Sequence, residues 1–226
     1  MYTKINDLIV KYPRVINYFY NKGLDLQTIK NRNLKQVFNS MDMDFNTGDR
    51  ELKEYIRINY DRDTQPSDLS EYTLSELTEH IVKTHHGFEK KLLNDIEYKI
   101  ELLIKNDSKD ILMDLKRIVR EIKSEINVHF IEEEMDLFPA ISLSDITGVY
   151  NYTIISAIEK AEKSHSIIGS YISELIEMTY DFSIRDDNEL FNFTIMELDE
   201  FVKDLFLHIY IENTMLYEKY EIKYGK

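Results

Sequence analysis

The chain has 226 residues and a formal net charge of −14 at pH 7, with 28 lysines and arginines against 42 aspartates and glutamates. This excess of negative charge argues against nonspecific nucleic-acid binding and against anionic membrane surfaces, because both require exposed cations. The sequence has no cysteine, which excludes disulfides, thiolate nucleophiles and iron–sulfur ligation, so any bound metal must be held by nitrogen and oxygen.

Long helices are the expected secondary structure of this sequence. Three prolines and six glycines leave few interruptions, and 43% of the residues are apolar, as in a globular domain. We therefore predict an all-α fold. The N-terminal apolar run is too short for a signal peptide, and no apolar stretch approaches about 18 uninterrupted residues. The expectation is a cytoplasmic protein without a membrane span.

Short helices are predicted in the N-terminal part of the chain. Residues 1–45 contain apolar and aromatic residues such as Leu8 and Tyr12 at helical spacing, and Gly23 ends this first run. Residues 46–72 lose the strong pattern and include a linker-like Thr-Gln-Pro-Ser-Asp sequence. A domain boundary is therefore expected near residues 65–72.

The linker separates two predicted domains. The first is a small helical domain that, together with the linker, covers residues 1–65, and the second covers residues 70–226. The second domain contains four long segments in which apolar residues recur three and four positions apart. The approximate bounds of these segments are 73–105, 108–137, 152–180 and 187–220.

The four segments are predicted to form an up-down-up-down four-helix bundle. Each has about 30 residues and would be about 45 Å long as an α-helix. The breaks between them fall at residues 106–108, 139–148 and 181–187. Short connections of this kind join neighbouring helices that pack antiparallel.

Two of the predicted helices carry a histidine and a glutamate four residues apart on their apolar faces. In the second helix the apolar face runs to Ile126, and its next two positions are His129 and Glu133. In the fourth helix the same extrapolation places His208 and Glu212 on the apolar face. An ionised glutamate on such a face costs several kcal/mol unless it is paired or binds a metal.

The third predicted helix adds His165 to its apolar face. Three inward histidines and two inward glutamates, with no inward lysine or arginine evident to pair the carboxylates, predict a buried metal site. The alternative is a metal-free bundle in which hydrogen bonds satisfy the histidines. Glu132 and Glu134 point away from the apolar face of the second helix and are predicted to be solvated.

The first predicted helix should complete the site, but its sequence offers three histidines. His80, His85 and His86 lie close together. Helical periodicity favours His85 narrowly, and His86 lies about 100° further around the helix. On periodicity alone, both residues remain candidates.

The histidines belong to a set of motifs with a known order and separation. The motifs are Glu79-His80-Ile81 followed by His86, then His129-Phe130-Ile131-Glu132-Glu133-Glu134 with Leu137-Phe138-Pro139, then Glu162-Lys163-Ser164-His165, and finally His208-Ile209-Tyr210-Ile211-Glu212-Asn213. In these motifs the chain resembles the repair-of-iron-centres family, whose members are hemerythrin-like di-iron proteins. The resemblance covers nearly the full length and implies a hemerythrin-like bundle over residues 70–226.

The resemblance implies a specific ligand set for two Fe ions in an oxo- or hydroxo-bridged di-iron centre. The implied histidine ligands are His86, His129, His165 and His208, and the implied bridging carboxylates are Glu133 and Glu212. His85 remains a rival to His86, because the family often has tyrosine at the position before its first ligand. Nitrogen and carboxylate ligands would also suit Mn or Zn.

The resemblance also implies a function, but this chain differs from the family in one motif. The family repairs iron–sulfur clusters damaged by nitric oxide or oxidative stress, so damaged iron–sulfur proteins are the implied partners. Where the family usually has Cys-Cys-Gly-Gly, this chain reads Gln27-Thr28-Ile29-Lys30. The alternative is therefore a hemerythrin-like protein that binds, senses or scavenges O2 or NO. The resemblance implies neither a particular enzymatic activity nor a particular oligomeric state.

Overall fold

The structure is a computed structural model that describes residues 4–5, 8, 12, 15–24, 29, 31–59, 69–106 and 110–224. The chain divides into two compact units, Met1–Tyr72 and Thr73–Lys226. Regular structure in the described residues is helical, apart from one isolated β-bridge between Lys4 and Asn33. The all-α prediction is confirmed. The Gln27 and Thr28 positions lie outside the described residues.

In the part of the N-terminal unit that the structure describes, three α-helices and a short 3-10 turn have defined bounds. These are α1 (Val15–Tyr20), α2 (Leu34–Ser40), α3 (Phe45–Asn59) and the turn Leu69–Glu71. Gly23 adopts a left-handed backbone with φ of 71° just after α1, as its predicted role as a helix stop requires. Helix α3 lies where the sequence lacks a strong apolar periodicity. Among its described positions only Gly48 and Leu52 are buried, so few apolar residues mark its inner face.

Four long helices form the second unit, and three of them contain a π-helical turn. Helix α4 comprises Leu74–Ile81, the π turn Val82–His86 and Gly87–Asn106. Helix α5 comprises Asp110–Glu132, the π turn Glu133–Leu137 and Phe138–Thr147. Helix α6 is Tyr152–Met178, and α7 comprises Glu189–Ile211, the π turn Glu212–Tyr217 and Glu218–Tyr224.

Side-chain caps define where these helices begin. The Thr73 hydroxyl accepts a hydrogen bond from the Glu76 backbone N–H at 3.2 Å, and the Glu76 carboxylate accepts one from the Thr73 N–H at 2.8 Å. This reciprocal pair satisfies donors that a helix start leaves without partners. The side chains of Asn151 and Asn188 cap α6 and α7 in a similar way.

The four helices pack as a bundle around an aliphatic core. Helix α4 packs against α5 and α7, and α5 also packs against α6. The core includes fully buried residues from every helix, among them Ile96, Ile122, Ile168 and Leu198. The four-helix bundle prediction is confirmed. In the described residues, no helix is both long and apolar enough to cross a membrane.

The π turn in α4 changes the helical register that the sequence pattern predicts. The Gly87 backbone N–H donates to the carbonyl of Val82, five residues earlier, so the turn contains one residue more than an α-helical turn. Beyond it, Phe88 is 37% exposed although periodicity places it on the apolar face. Glu89 takes the inward position and is fully buried.

A second π turn explains why α5 continues through Pro139, where the sequence predicted a break. The Phe138 backbone N–H donates to the carbonyl of Glu133, so an α-helical segment restarts at Phe138. Pro139 therefore lies in the first turn of this segment, where its missing N–H costs little. The helix ends instead at Gly148, whose φ of 70° is left-handed.

The register change can be tested by comparing two substitutions in α4. Ile96 is fully buried, so Ile96→Ala should lower the free energy of unfolding by about 2–5 kcal/mol. Phe88→Ala should lower it by about 1 kcal/mol or less, because this side chain is partly solvated. Urea denaturation followed by circular dichroism measures both. If α-helical register ran unbroken through Val82–His86, Phe88 would face the core and its loss would cost about 3–5 kcal/mol.

Candidate metal centre

Six ionisable side chains converge in the core of the second unit. They form two groups that share both glutamates, and within each group the candidate ligand atoms lie within 4.8 Å of one another. One group is His86, Glu133, His208 and Glu212, and the other is His129, Glu133, His165 and Glu212. All six side chains are buried. This arrangement has the topology of a two-metal site with shared carboxylates.

Each of the four helices of the second unit provides one or two of these side chains. Helix α4 provides His86 at the end of its π turn, and α6 provides His165. Helices α5 and α7 each provide a histidine four residues before a glutamate, and in each the glutamate is the first residue of the π turn. All three π turns therefore coincide with candidate ligands, as π turns in helices often do at functional sites.

The imidazole nitrogens face one another in two close pairs. His86 Nε2 lies 3.2 Å from His208 Nε2, and His129 Nε2 lies 3.0 Å from His165 Nε2. Glu212 reaches both pairs, since its Oε1 lies 2.9 Å from His208 Nε2 and its Oε2 lies 3.0 Å from His165 Nε2.

The second glutamate spans the same two pairs from α5. Glu133 Oε2 lies 3.4 Å from His129 Nε2 and 3.5 Å from His86 Nε2. This oxygen is buried and has no hydrogen-bond partner. A carboxylate oxygen in this position has a full desolvation cost unless a hydrogen-bond donor or a cation binds to it.

Carboxylates behind two of the histidines fix the rings with Nε2 facing inward. His208 Nδ1 lies 3.0 Å from Glu89 Oε1, and His86 Nδ1 lies 2.9 Å from Glu134 Oε1. Glu134 also accepts a hydrogen bond from Lys90 Nζ at 2.8 Å. When both rings are neutral and each Nδ1–H donates to its carboxylate, the two Nε2 atoms present lone pairs to each other.

The third inward-facing ring has an amide behind it. His165 Nδ1 lies 3.2 Å from Asn213 Oδ1, so a proton on Nδ1 leaves a lone pair on Nε2. Lone pairs facing each other across about 3 Å repel unless a proton or a metal ion lies between them. The donor set therefore fits metal ions bound by nitrogen and oxygen.

The protonation preferences agree with this fit. Burial, reinforced by neighbouring histidines, lowers the pKa of His86 to about 4 and that of His129 to about 3, so both rings are neutral at pH 7. Burial also opposes a charge on His208, but Glu212 and Glu89 hold its pKa well above the ordinary value. Carboxylates around this ring thus attract positive charge, which a metal ion would supply.

Tyr217 holds the α5 glutamate in place. Its hydroxyl donates a hydrogen bond of 2.7 Å to Glu133 Oε1, and both groups are buried. Burial, followed by the charges of Glu133 and Glu212, raises the pKa of Tyr217 well above its ordinary value, so the hydroxyl keeps its proton. The phenol is therefore a permanent donor that orients Glu133.

Aromatic rings close one side of the site. The Phe130 ring stacks on His86 with centroids 3.8 Å apart, and Phe138 stacks on the same imidazole at 5.8 Å. Both phenylalanines are buried. Their apolar rings keep water away and strengthen the electrostatic interactions within the site.

The structure brings together the six residues that the sequence and the family resemblance selected, and it places His85 elsewhere. His85 Nδ1 lies 3.0 Å from Asp204 Oδ2, and this histidine belongs to neither of the two groups that make up the six-residue site. The cause is the π turn Val82–His86, which adds one residue and gives His86 the inward position. Periodicity favoured His85 because it assumes an unbroken α-helix.

Several partners of the site were missed by sequence reasoning. Glu134 was predicted to be solvated, yet its carboxylate contacts His86 and is 31% exposed. Glu89 and Tyr217 were not identified as partners of the site. Glu89 follows the π turn of α4 and Tyr217 ends the π turn of α7, so unbroken α-helical periodicity does not predict their inward positions. In the sequence, the only indication of a role for Glu89 is that it follows His85 by four residues, the spacing seen in the other two histidine–glutamate pairs. Glu132, by contrast, pairs with Lys160 at the surface, as predicted.

Comparisons with known proteins address the same part of the chain. The Hemerythrin family, described as Hemerythrin HHE cation binding domain, matches residues 77–220. The chain is 20% identical over 221 residues to the iron-sulfur cluster repair protein YtfE of Pectobacterium carotovorum, covering 95% of both chains. It is 22% identical over 232 residues to a probable iron-sulfur cluster repair protein of Haemophilus influenzae, covering 96% of this chain and 95% of the relative.

Substitution of Tyr217 tests whether its hydrogen bond organises the site. Tyr217→Phe removes the donor to Glu133 Oε1 and should weaken metal binding by about 10–100-fold, as loss of a partner behind a ligand typically does. Metal affinity is measured by competition with a chromophoric chelator. The matched control is Tyr224→Phe, since Tyr224 donates to the Ser144 carbonyl and does not contact the six residues. Equal affinities for both variants would contradict the assigned role.

Proposed function

Because this chain belongs to the Hemerythrin HHE cation binding domain family, we propose that it is an iron-binding protein in which the six converging residues hold two Fe ions. His86 and His208 would bind one ion, and His129 and His165 the other. Glu133 and Glu212 would be shared between them. The convergence of buried imidazole and carboxylate groups on four helices is the observation that carries this proposal.

The protein's own residues have three tasks in this proposal. The carboxylates behind His86 and His208 keep the rings in the tautomer that presents Nε2 to the metal. Tyr217 holds Glu133 so that its second oxygen stays available. Phe130 keeps bulk water from His86. When bound, the iron pair would supply redox activity and open coordination positions for a small ligand such as O2 or NO.

We further propose that the protein donates iron to iron–sulfur proteins whose clusters have been damaged by nitric oxide or oxidative stress. The names of the two relatives, each similar over about the whole chain, support this function. The sequence has no cysteine, so the chain itself cannot hold a cluster through thiolates. Its contribution would therefore be iron, with sulfide supplied by another source.

A second candidate is reversible binding of O2 or NO, for sensing or scavenging. It is favoured by the sequence Gln27-Thr28-Ile29-Lys30, which lacks the thiols that the repair-of-iron-centres family usually has there. The buried setting of the six residues would also retain iron while a small diatomic molecule binds. The two candidates differ in whether iron leaves the protein during its function.

Iron content tests the ligand assignment. The purified protein loaded with Fe2+ should contain two irons per chain, and His86→Ala should lose at least one of them, because the replacement removes the ligand that α4 would contribute. His80→Ala is the control, since His80 lies six residues earlier on α4 and outside both groups. Iron is measured by mass spectrometry after gel filtration. Full retention of iron by His86→Ala would refute the assignment.

Reactivation of a damaged enzyme separates the two functions. An iron–sulfur dehydratase inactivated by NO is incubated with sulfide, a reductant and the iron-loaded protein, in the presence of a chelator that captures free Fe2+. Donation predicts recovery of dehydratase activity together with loss of iron from the protein. Recovery no greater than with an equal amount of free Fe2+ would exclude donation. A reversible spectral change with NO and no loss of iron would favour the gas-binding function.

A further inference from the structure

A third cluster of possible metal ligands lies beside the six-residue site. It consists of His85 and Glu89 from α4 and Asp204 from α7, whose candidate ligand atoms lie within 4.8 Å of one another. His85 Nδ1 is 3.0 Å from Asp204 Oδ2. None of the three residues belongs to the set assigned above to the two Fe ions. We refer to these three residues as the outer cluster.

The outer cluster contains buried polar atoms without partners. Glu89 is fully buried, and while its Oε1 contacts His208 Nδ1, its Oε2 has no hydrogen-bond partner. His85 is 2% exposed, and its Nε2 also has no partner. A native protein rarely leaves such atoms unsatisfied, and a bound ion or water is one way in which they are satisfied.

The charges of the outer cluster also call for a cation. Two carboxylates, Glu89 and Asp204, lie next to each other in a largely buried position. Among the described residues, neither carboxylate forms an ion pair with a lysine or an arginine. Glu89 contacts His208 and Asp204, and Asp204 contacts His85. Neighbouring carboxylates repel unless a proton or a metal ion joins them.

We propose that His85, Glu89 and Asp204 form a third metal site that takes an exchangeable divalent cation such as Mn2+ or Fe2+. One imidazole and two carboxylates are hard to borderline donors, which suit these ions better than Cu+. Three protein ligands leave several coordination positions to water, so binding is weaker than in the six-residue site. The Asp204 side chain is 22% exposed, which gives the cation access from solvent.

Glu89 links the outer cluster to the six-residue site. One of its oxygens contacts His208, and the other is available to the cation in the outer cluster. The His85 and His208 rings are also stacked, with centroids 5.5 Å apart. A cation in the outer cluster would thus be one carboxylate away from a ligand of the iron pair. A role in passing iron to or from that pair rests on the proposed function, whereas the binding itself does not.

Binding of Mn2+ tests the site in the full-length protein. The protein is first saturated with Fe2+ and freed of excess metal, and Mn2+ is then titrated while free Mn2+ is followed by electron paramagnetic resonance. One additional Mn2+ per chain is expected for the unmodified protein. Asp204→Asn removes a carboxylate ligand without touching the six residues and should weaken this binding by at least about tenfold. His85→Gln, a second variant, should have the same effect.

The control is Asp199→Asn, which lies on the same helix and pairs with Lys203 rather than with the outer cluster. It should bind Mn2+ like the unmodified protein. No additional Mn2+ in the unmodified protein, or equal binding by Asp204→Asn, would overturn the proposal and leave the outer cluster as a hydrogen-bond network behind His208. If the protein retains no iron, the metal-free protein is titrated instead. Loss of one Mn2+ in Asp204→Asn would then support the outer cluster while the proposed iron centre fails.

Discussion

The burial of six ionisable side chains at the centre of an apolar bundle is the constraint on which the rest of this structure depends. Imidazoles and carboxylates in such a core cost several kcal/mol each unless their lone pairs and charges are satisfied. The surrounding residues meet part of that cost, through the carboxylates behind His86 and His208 and the hydroxyl of Tyr217. The inward Nε2 atoms and Glu133 Oε2 remain, and metal ions are the partners that their chemistry fits.

The sequence predicted the bundle and most of the site because helical periodicity holds over most of its length. His129, Glu133, His208 and Glu212 could be placed inward since each π turn in α5 and α7 begins only at the glutamate. In α4 the π turn begins before His86 and includes it. Periodicity therefore narrowly favoured His85, and the family resemblance was needed to select His86. For the same reason periodicity did not predict that Glu89 is buried or that Phe88 is partly exposed. The π turn in α5 allows that helix to continue through Pro139, where the sequence predicted a break.

The site and the composition together limit the chemistry of this protein. A chain without cysteine has no thiolate to offer a metal, and the structure concentrates imidazole and carboxylate donors in two adjoining places. One is the six-residue site, closed by aromatic rings, and the other is the outer cluster, open to solvent through Asp204. Glu89 contacts both. On the proposals made above, the six-residue site would hold iron and the outer cluster would exchange a cation, and this would suit donation of iron better than assembly of a cluster on the protein itself.

The central claim is that the six residues bind a pair of iron ions, and anomalous X-ray diffraction from crystals of the iron-loaded protein tests it most directly. Data collected above and below the iron absorption edge locate iron without reference to the protein's activity. We predict two iron peaks, one contacting His86 and His208 and the other contacting His129 and His165, with Glu133 and Glu212 reaching both. A single peak, or iron bound only at positions outside these six residues, would contradict the claim.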